Sequence, residues 1–145
     1  MFDLTDCIGF IAKDASKTIV DEFNKRLKKN DISNAQWTAL FFIGQSNGLS
    51  QKELGAKTNS KESSIARLLD RMEQDELCKR IRDPKDRRII RVSLTPKGEK
   101  IRSSLLPIGE KFHQDAIRNI SDDELATFKK VLDRMVLNLV NTDEN

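Results

Sequence analysis

Apolar residues return every three or four positions along most of this chain, and the one stretch that abandons this spacing for simple alternation is also the most cationic. A three-and-four period places one apolar stripe on a helix, whereas a period of two describes a half-buried strand. The pattern therefore predicts a mainly α fold interrupted by one hairpin. Ile8, Ile11, Ala12, Ala15, Ile19, Phe23 and Leu27 mark a long amphipathic first helix, broken by Asn30 and Asp31. Ser33-Asn34-Ala35-Gln36 reads as a capping box, in which a serine hydroxyl and a glutamine amide satisfy reciprocal orphan N–H groups. The helix it opens should run from about Asn34 to Gln45, carry Trp37, Leu40, Phe41 and Ile43, and stop before Asn47-Gly48.

Ser50-Gln51-Lys52-Glu53 repeats the capping logic and opens a helix too short to stand alone, from about Gln51 to Lys57. After the turn Thr58-Asn59-Ser60, Ile65, Leu68, Leu69 and Met72 define the buried side of a further helix running to about Asp75. Short helix, tight turn and longer helix make a helix-turn-helix. The opposite side of its second member shows Lys61, Ser63, Ser64, Arg67 and Arg71, donors able to reach base edges and phosphates. Next, Leu77, Lys79 and Ile81 alternate with Cys78, Arg80 and Arg82, and Ile90, Val92 and Leu94 with Ile89, Arg91 and Ser93. These are two half-buried strands joined by the basic turn Asp83-Pro84-Lys85-Asp86-Arg87-Arg88.

Charge sharpens this reading. The segment Lys79–Arg102 is +7, although the whole chain is only +3, so the remainder is mildly acidic. Such a block is the electrostatic footprint of a surface that meets a polyanion, with solvation of an exposed hairpin as the plain alternative. A helix-turn-helix followed by a hairpin with a cationic tip is a winged helix, in which one element enters the major groove and the tip reaches the flanking minor groove. Thr95 and Pro96 then reopen helix as N-cap and first residue. Pro107 should kink this helix without ending it, because the stripe Ile101, Leu105, Ile108, Phe112 and Ala116 continues in phase. Ser121-Asp122-Asp123-Glu124 caps a last helix whose stripe Leu125, Phe128, Leu132, Met135 and Leu139 is widened by Val131, Val136 and Val140.

Other classes find little support. No apolar run approaches the roughly 20 residues of a membrane span, and the acidic start Met1-Phe2-Asp3-Leu4-Thr5-Asp6 is unlike a secretory signal, so a cytoplasmic protein is expected. Cys7 and Cys78 have neither disulfide density nor zinc spacing, and with His113 as the single histidine no metal site and no cofactor are expected. Nucleotide-binding, zinc-protease and serine-hydrolase motifs are absent and there is no tyrosine, so no catalytic set is assigned.

The run Leu68-Leu69-Asp70-Arg71-Met72-Glu73, then Leu77, Arg80, Asp83-Pro84-Lys85-Asp86-Arg87-Arg88 and Val92-Ser93-Leu94-Thr95-Pro96-Lys97-Gly98, resembles the signature of the MarR (multiple antibiotic resistance regulator) family of transcriptional regulators. Cys7-Ile8-Gly9-Phe10-Ile11 and the stretch around Trp37 are also similar, so the likeness spans nearly the whole chain. It implies one domain over residues 1–145, with dimerisation helices at about 4–29 and 97–141 and a winged helix, its wing of two or three strands, at about 33–95. It implies a homodimer in which two winged helices bind a pseudo-palindromic operator in double-stranded DNA, as a repressor released by a small aromatic or lipophilic effector. Asp86 would orient Arg88 for the minor groove, with Lys85 and Arg87 beside it, while Ser63, Ser64 and Arg67 face the major groove. Glu76 stands where the family often has glycine; it either forces a different helix stop or places an acid near the DNA backbone.

Several residues carry two readings. Arg67 and Arg71 could pair with Asp70 or Asp75 on their own helix instead of DNA. Phe10, Trp37, Phe41 and His113 are candidates for an effector pocket, although Trp37 and Phe41 also suit a core and His113 a dimer interface. Cys7 lies roughly where a hydroperoxide-sensing branch of the family keeps its reactive thiol, which makes a redox switch one alternative function. That branch resembles a site with assisting tyrosines, which this chain lacks. A helical dimer that binds protein and not specific DNA is the alternative of another class.

Overall fold

The structure, a computed structural model, describes residues 1–144 and consists of eight principal elements. In chain order these are α1 (Ile8–Leu27), α2 (Asn34–Gln45), α3 (Gln51–Lys57), α4 (Glu62–Gln74), β1 (Cys78–Arg82), β2 (Ile90–Leu94), α5 (Pro96–Ala116) and α6 (Asp122–Val140). Short 3₁₀ turns lie at Leu4–Asp6, Lys28–Asn30 and Asn141–Glu144. The chain divides into two compact units, residues 1–110 and 111–145.

Local chemistry sets most boundaries of the first unit. Both capping boxes form there: Ser33 Oγ accepts from Gln36 N at 3.2 Å and Gln36 Oε1 from Ser33 N at 3.0 Å, while Ser50 and Glu53 repeat the exchange at the start of α3. Leu27, Leu40, Ile43, Leu54, Ile65, Leu69, Met72, Val92 and Leu105 are fully buried and form the core beneath the helix-turn-helix. Trp37 packs edge-on against Phe23 at 6.3 Å and beside Phe41 at 5.8 Å, continuing this core. Burying such side chains is the main favourable term, about 1.5–3 kcal/mol for each large one.

The sheet pairs β1 and β2 antiparallel, from Cys78 opposite Leu94 to Arg82 opposite Ile90. A third strand is present in miniature: Gly48 N donates to Val92 O, Val92 N donates to Leu49 O, and Ser50 bridges Arg91. This seats the base of the wing on the segment leading into α3. One expectation from alternation fails on β1, because Ile81 is 62% exposed while Cys78 is buried. Ile81 shares its face of the strand with exposed Lys79, while the covered face is the other one, carrying buried Cys78 and half-buried Arg80 opposite buried Val92, so period two holds but the packed face is the one with the arginine.

α5 begins as the sequence suggests. Thr95 Oγ1 accepts from Gly98 N at 3.0 Å and donates to Glu76 O at 2.5 Å, tying the helix to the end of α4. The first turn of α5 approaches Leu77 so closely that a Cβ on Gly98 would lie 2.0 Å from Leu77 O. Helical structure runs through Pro107 to Ala116. In the second unit, the capping box between Ser121 and Glu124 opens α6, in which no residue is buried.

Candidate nucleic-acid interface

The sequence of α4 determines which side chains are offered to a partner. Ile65, Leu68, Leu69 and Met72 are buried, so the three-and-four period turns Lys61, Ser63, Ser64, Arg67 and Arg71 outward, and all five are exposed. The preceding turn is held by Thr58 Oγ1 donating to Leu54 O at 2.8 Å and Ser60 N to Gly55 O at 2.9 Å, with Asn59 in the left-handed region. Neither Arg67 nor Arg71 is paired with Asp70 or Asp75 among the described residues. Arg80 of β1 instead holds Asp70 and Glu73 together, so the acids of α4 are satisfied from the wing side. That clamp was not legible in the sequence, since a strand arginine and two helical acids are brought together only by tertiary packing.

The C-terminal end of α4 resolves the question of Glu76. Its φ is +60°, its N–H donates to Glu73 O at 2.9 Å, and Leu77 N donates to Met72 O at 2.8 Å. This bond pair, closed by buried Met72 and Leu77, is the Schellman arrangement that glycine usually completes. The helix therefore stops as it would with glycine, and the glutamate bears the left-handed conformation.

The wing is organised by two aspartates. Asp83 Oδ1 accepts from Lys85 N at 2.8 Å and Asp86 N at 3.1 Å, while its Oδ2 accepts from Arg91 Nε at 3.0 Å. The Lys85 N–H, the Arg91 guanidinium and the Asp86 N–H together hold the Asp83 carboxyl below the usual aspartate range. Arg91 also donates to Gly48 O at 3.3 Å, joining the wing loop to the segment before α3. Asp83 and Arg91 were not singled out in the sequence. The available signal was the aspartate before Pro84, whose side chain closes a turn onto the N–H two residues on.

Asp86 grips Arg88 in a fork: Nε donates to Oδ1 and Nη2 to Oδ2, both at 3.0 Å, and the Arg88 backbone N–H adds a third bond at 3.1 Å. The side chain of Arg88 is nevertheless 90% exposed. Hydrogen bonding to Arg88 lowers the carboxyl pKa of Asp86 and raises that of the guanidinium, so both stay charged. Fixing a long side chain while leaving its outer donors in solvent reduces the entropy lost when a partner binds. Lys85 and Arg87 are exposed on either side of Asp86.

Phe10 is exposed on α1, Trp37 and Phe41 are half-buried in the first unit, and His113 is exposed in the second. Cys7 is half-exposed and forms the N-cap of α1 without a side-chain cap bond. Cys78 is buried, and desolvation pushes its thiol up to about 11. Among the described residues no cluster suits a metal ion, and no helix is long and apolar enough to cross a membrane.

A helix-turn-helix whose second helix leads directly into a cationic hairpin defines a winged-helix DNA-binding protein. The profile of the MarR family matches residues 32–90, from the entry to α2 to the start of β2. The chain is 30% identical over 121 residues to the HTH-type transcriptional regulator SarZ of Staphylococcus aureus, covering 83% of this chain and 80% of SarZ. A cysteine-to-serine mutant of E. coli MarR, crystallised with operator DNA, superposes with a TM-score of 0.83 at 25% identity, covering 92% of this chain and 99% of that one. BpsR of Bordetella bronchiseptica, whose DNA binding is regulated by 6-hydroxynicotinic acid, superposes with a TM-score of 0.85 at 20% identity, over 94% of this chain and 97% of its own. The chain belongs to the MarR family of DNA-binding transcriptional regulators.

Proposed function

We propose that this regulator is a homodimeric repressor that places α4 of each protomer in the major groove of a pseudo-palindromic operator and Arg88 in the flanking minor groove. The forked, exposed Arg88 beside the outward row of α4 carries this reading. A guanidinium entering the minor groove reads width and potential, whereas Arg67 can make two bonds to a guanine edge. Dimerisation is supported by the apolar surface left open on α6, where Phe128, Val136 and Leu139 are 60%, 59% and 72% exposed, and on α1, where Ile8, Ile11 and Ile19 are exposed. Contiguous faces of this kind are rare on monomers. The dimer sets the distance between recognition helices, and half-sites should be about 34 Å apart or a multiple of that. A small aromatic or lipophilic effector that prefers another spacing releases DNA by its differential affinity for the two states; control of BpsR by 6-hydroxynicotinic acid supports this step.

The test compares two variants on operator and on unrelated duplex at fixed salt. Arg88→Ala should weaken both, and Arg67→Ala mainly the operator, by about 1–3 kcal/mol of discrimination. Equal effects of the two would make Arg67 a phosphate clamp and remove the assignment of base reading. A shallow salt dependence of wild-type binding to random duplex would point to a protein-binding module instead.

A further inference from the structure

We infer that Arg80, on the wing strand β1, is a positioning residue for base reading: by holding Asp70 of α4 it keeps that carboxylate from capturing Arg67, three residues earlier on the same helix. The inference rests on the proposed contact of Arg67 with a guanine edge and adds a residue that acts through it.

By its own composition α4 is poorly suited to a polyanion. It carries Glu62, Asp70 and Glu73 against Arg67 and Arg71, so acids outnumber cations on the element offered to the major groove. Residues three apart on a helix are neighbours, and Asp70 stands at that distance from Arg67. Left to local chemistry the two pair, and a guanidinium held by a carboxylate of its own helix has fewer donors to give a base. Glu73 is six residues from Arg67 and two from Arg71, spacings that do not bring side chains together on a helix. Asp70 is therefore the acid that competes for Arg67.

The wing removes this competitor from outside the helix. Arg80 Nη2 donates to Asp70 Oδ1 and Arg80 Nε to Glu73 Oε1, so one guanidinium closes on two acids. Its stem is fixed on the covered face of β1, opposite buried Val92, and the side chain is only 22% exposed. Arg80 wins Asp70 for a physical reason: an exposed pair of long side chains is screened and costs rotamer entropy, whereas packing has already immobilised Arg80 where both carboxylates lie. Arg67 is left exposed. A simple strut between wing and helix makes the same bonds, but the two roles differ when Asp70 is neutralised. A strut is broken by the loss of either end, whereas a competitor without charge no longer competes.

The experiment measures, on the full chain at fixed salt, the ratio of operator to random-duplex affinity, since a change of charge alone acts on both duplexes alike. Arg80→Met keeps the apolar stem and should lower the ratio about twofold, the worth of an exposed ion pair three residues apart. Arg80→Met combined with Asp70→Asn should restore the wild-type ratio, and Asp70→Asn alone should leave it unchanged, because that carboxylate is already held. In the free protein, NMR should find slowed exchange of the Arg67 Nε–H in Arg80→Met, but neither in wild type nor in the double variant. A double variant whose ratio stays as low as that of Arg80→Met makes Arg80 a strut and overturns the inference. A rise in the ratio for Asp70→Asn alone also overturns it, and that comparison holds even if Arg80→Met does not fold. If Arg67→Ala leaves the ratio unchanged, the failure belongs to the proposed base reading, and the NMR comparison still tells whether Arg80 keeps Asp70 from Arg67.

Discussion

Glu76→Gly tests whether the end of α4 is strained by its own sequence. A non-glycine residue in the left-handed region costs about 1–2 kcal/mol through the approach of Cβ to the following carbonyl. Glu76 sits there with φ +60°, and its contacts to Glu73 and Thr95 are made by backbone atoms that glycine retains. Against the relief stands the greater freedom of glycine in the unfolded chain, about 0.4–1 kcal/mol. The net expectation is a gain of about 0.5–1 kcal/mol, or about 2–4 °C in Tm for a chain of this size. Thermal and urea melts at one fixed protein concentration measure it, since association also shifts apparent stability. Glu76→Ala is the control, because it removes the charge and keeps Cβ; it should give no comparable gain. An equal rise for both variants would refute the argument from backbone strain and assign the effect to the carboxylate.

Three further outcomes follow from the same geometry. Gly98→Ala should cost about 2–4 kcal/mol in urea melts, because its Cβ would meet Leu77 O at 2.0 Å and two backbones would have to part. In thiol titration of the native protein Cys7 should react and Cys78, buried with its thiol pushed up to about 11, should wait for denaturant; Cys7→Ser should leave operator binding and its response to peroxide unchanged. Asp83 has its carboxyl held low by the N–H of Lys85, Arg91 and the N–H of Asp86, so its contribution is present above the ordinary aspartate pKa and lost as pH falls through the lowered folded value. Protection of the Lys85 and Asp86 amides, taken relative to their intrinsic exchange rates, should therefore fall with acid only below the usual aspartate range, and in Asp83→Asn that pH-dependent loss of protection should disappear.

Most of the fold was legible in the sequence because its signals are local. Each capping box is closed within four residues, the three-and-four stripes select the buried face of α4 without reference to any neighbour, and Thr95-Pro96 opens α5 from its own chemistry. The outward row Lys61, Ser63, Ser64, Arg67 and Arg71 was legible for the same reason, whereas the fork of Asp86 on Arg88 was expected only from the resemblance to the family. Tertiary structure alone decided what depends on distant segments. Arg80 meets Asp70 and Glu73, Arg91 meets Asp83 and Gly48, and Gln51 loses its solvent beneath the wing. Ile81 shows the division in one residue: alternation places it on one face with Lys79, but which of the two faces is covered is decided by what packs against the strand. A period is a property of the backbone, whereas burial and pairing are properties of what the rest of the chain brings alongside it.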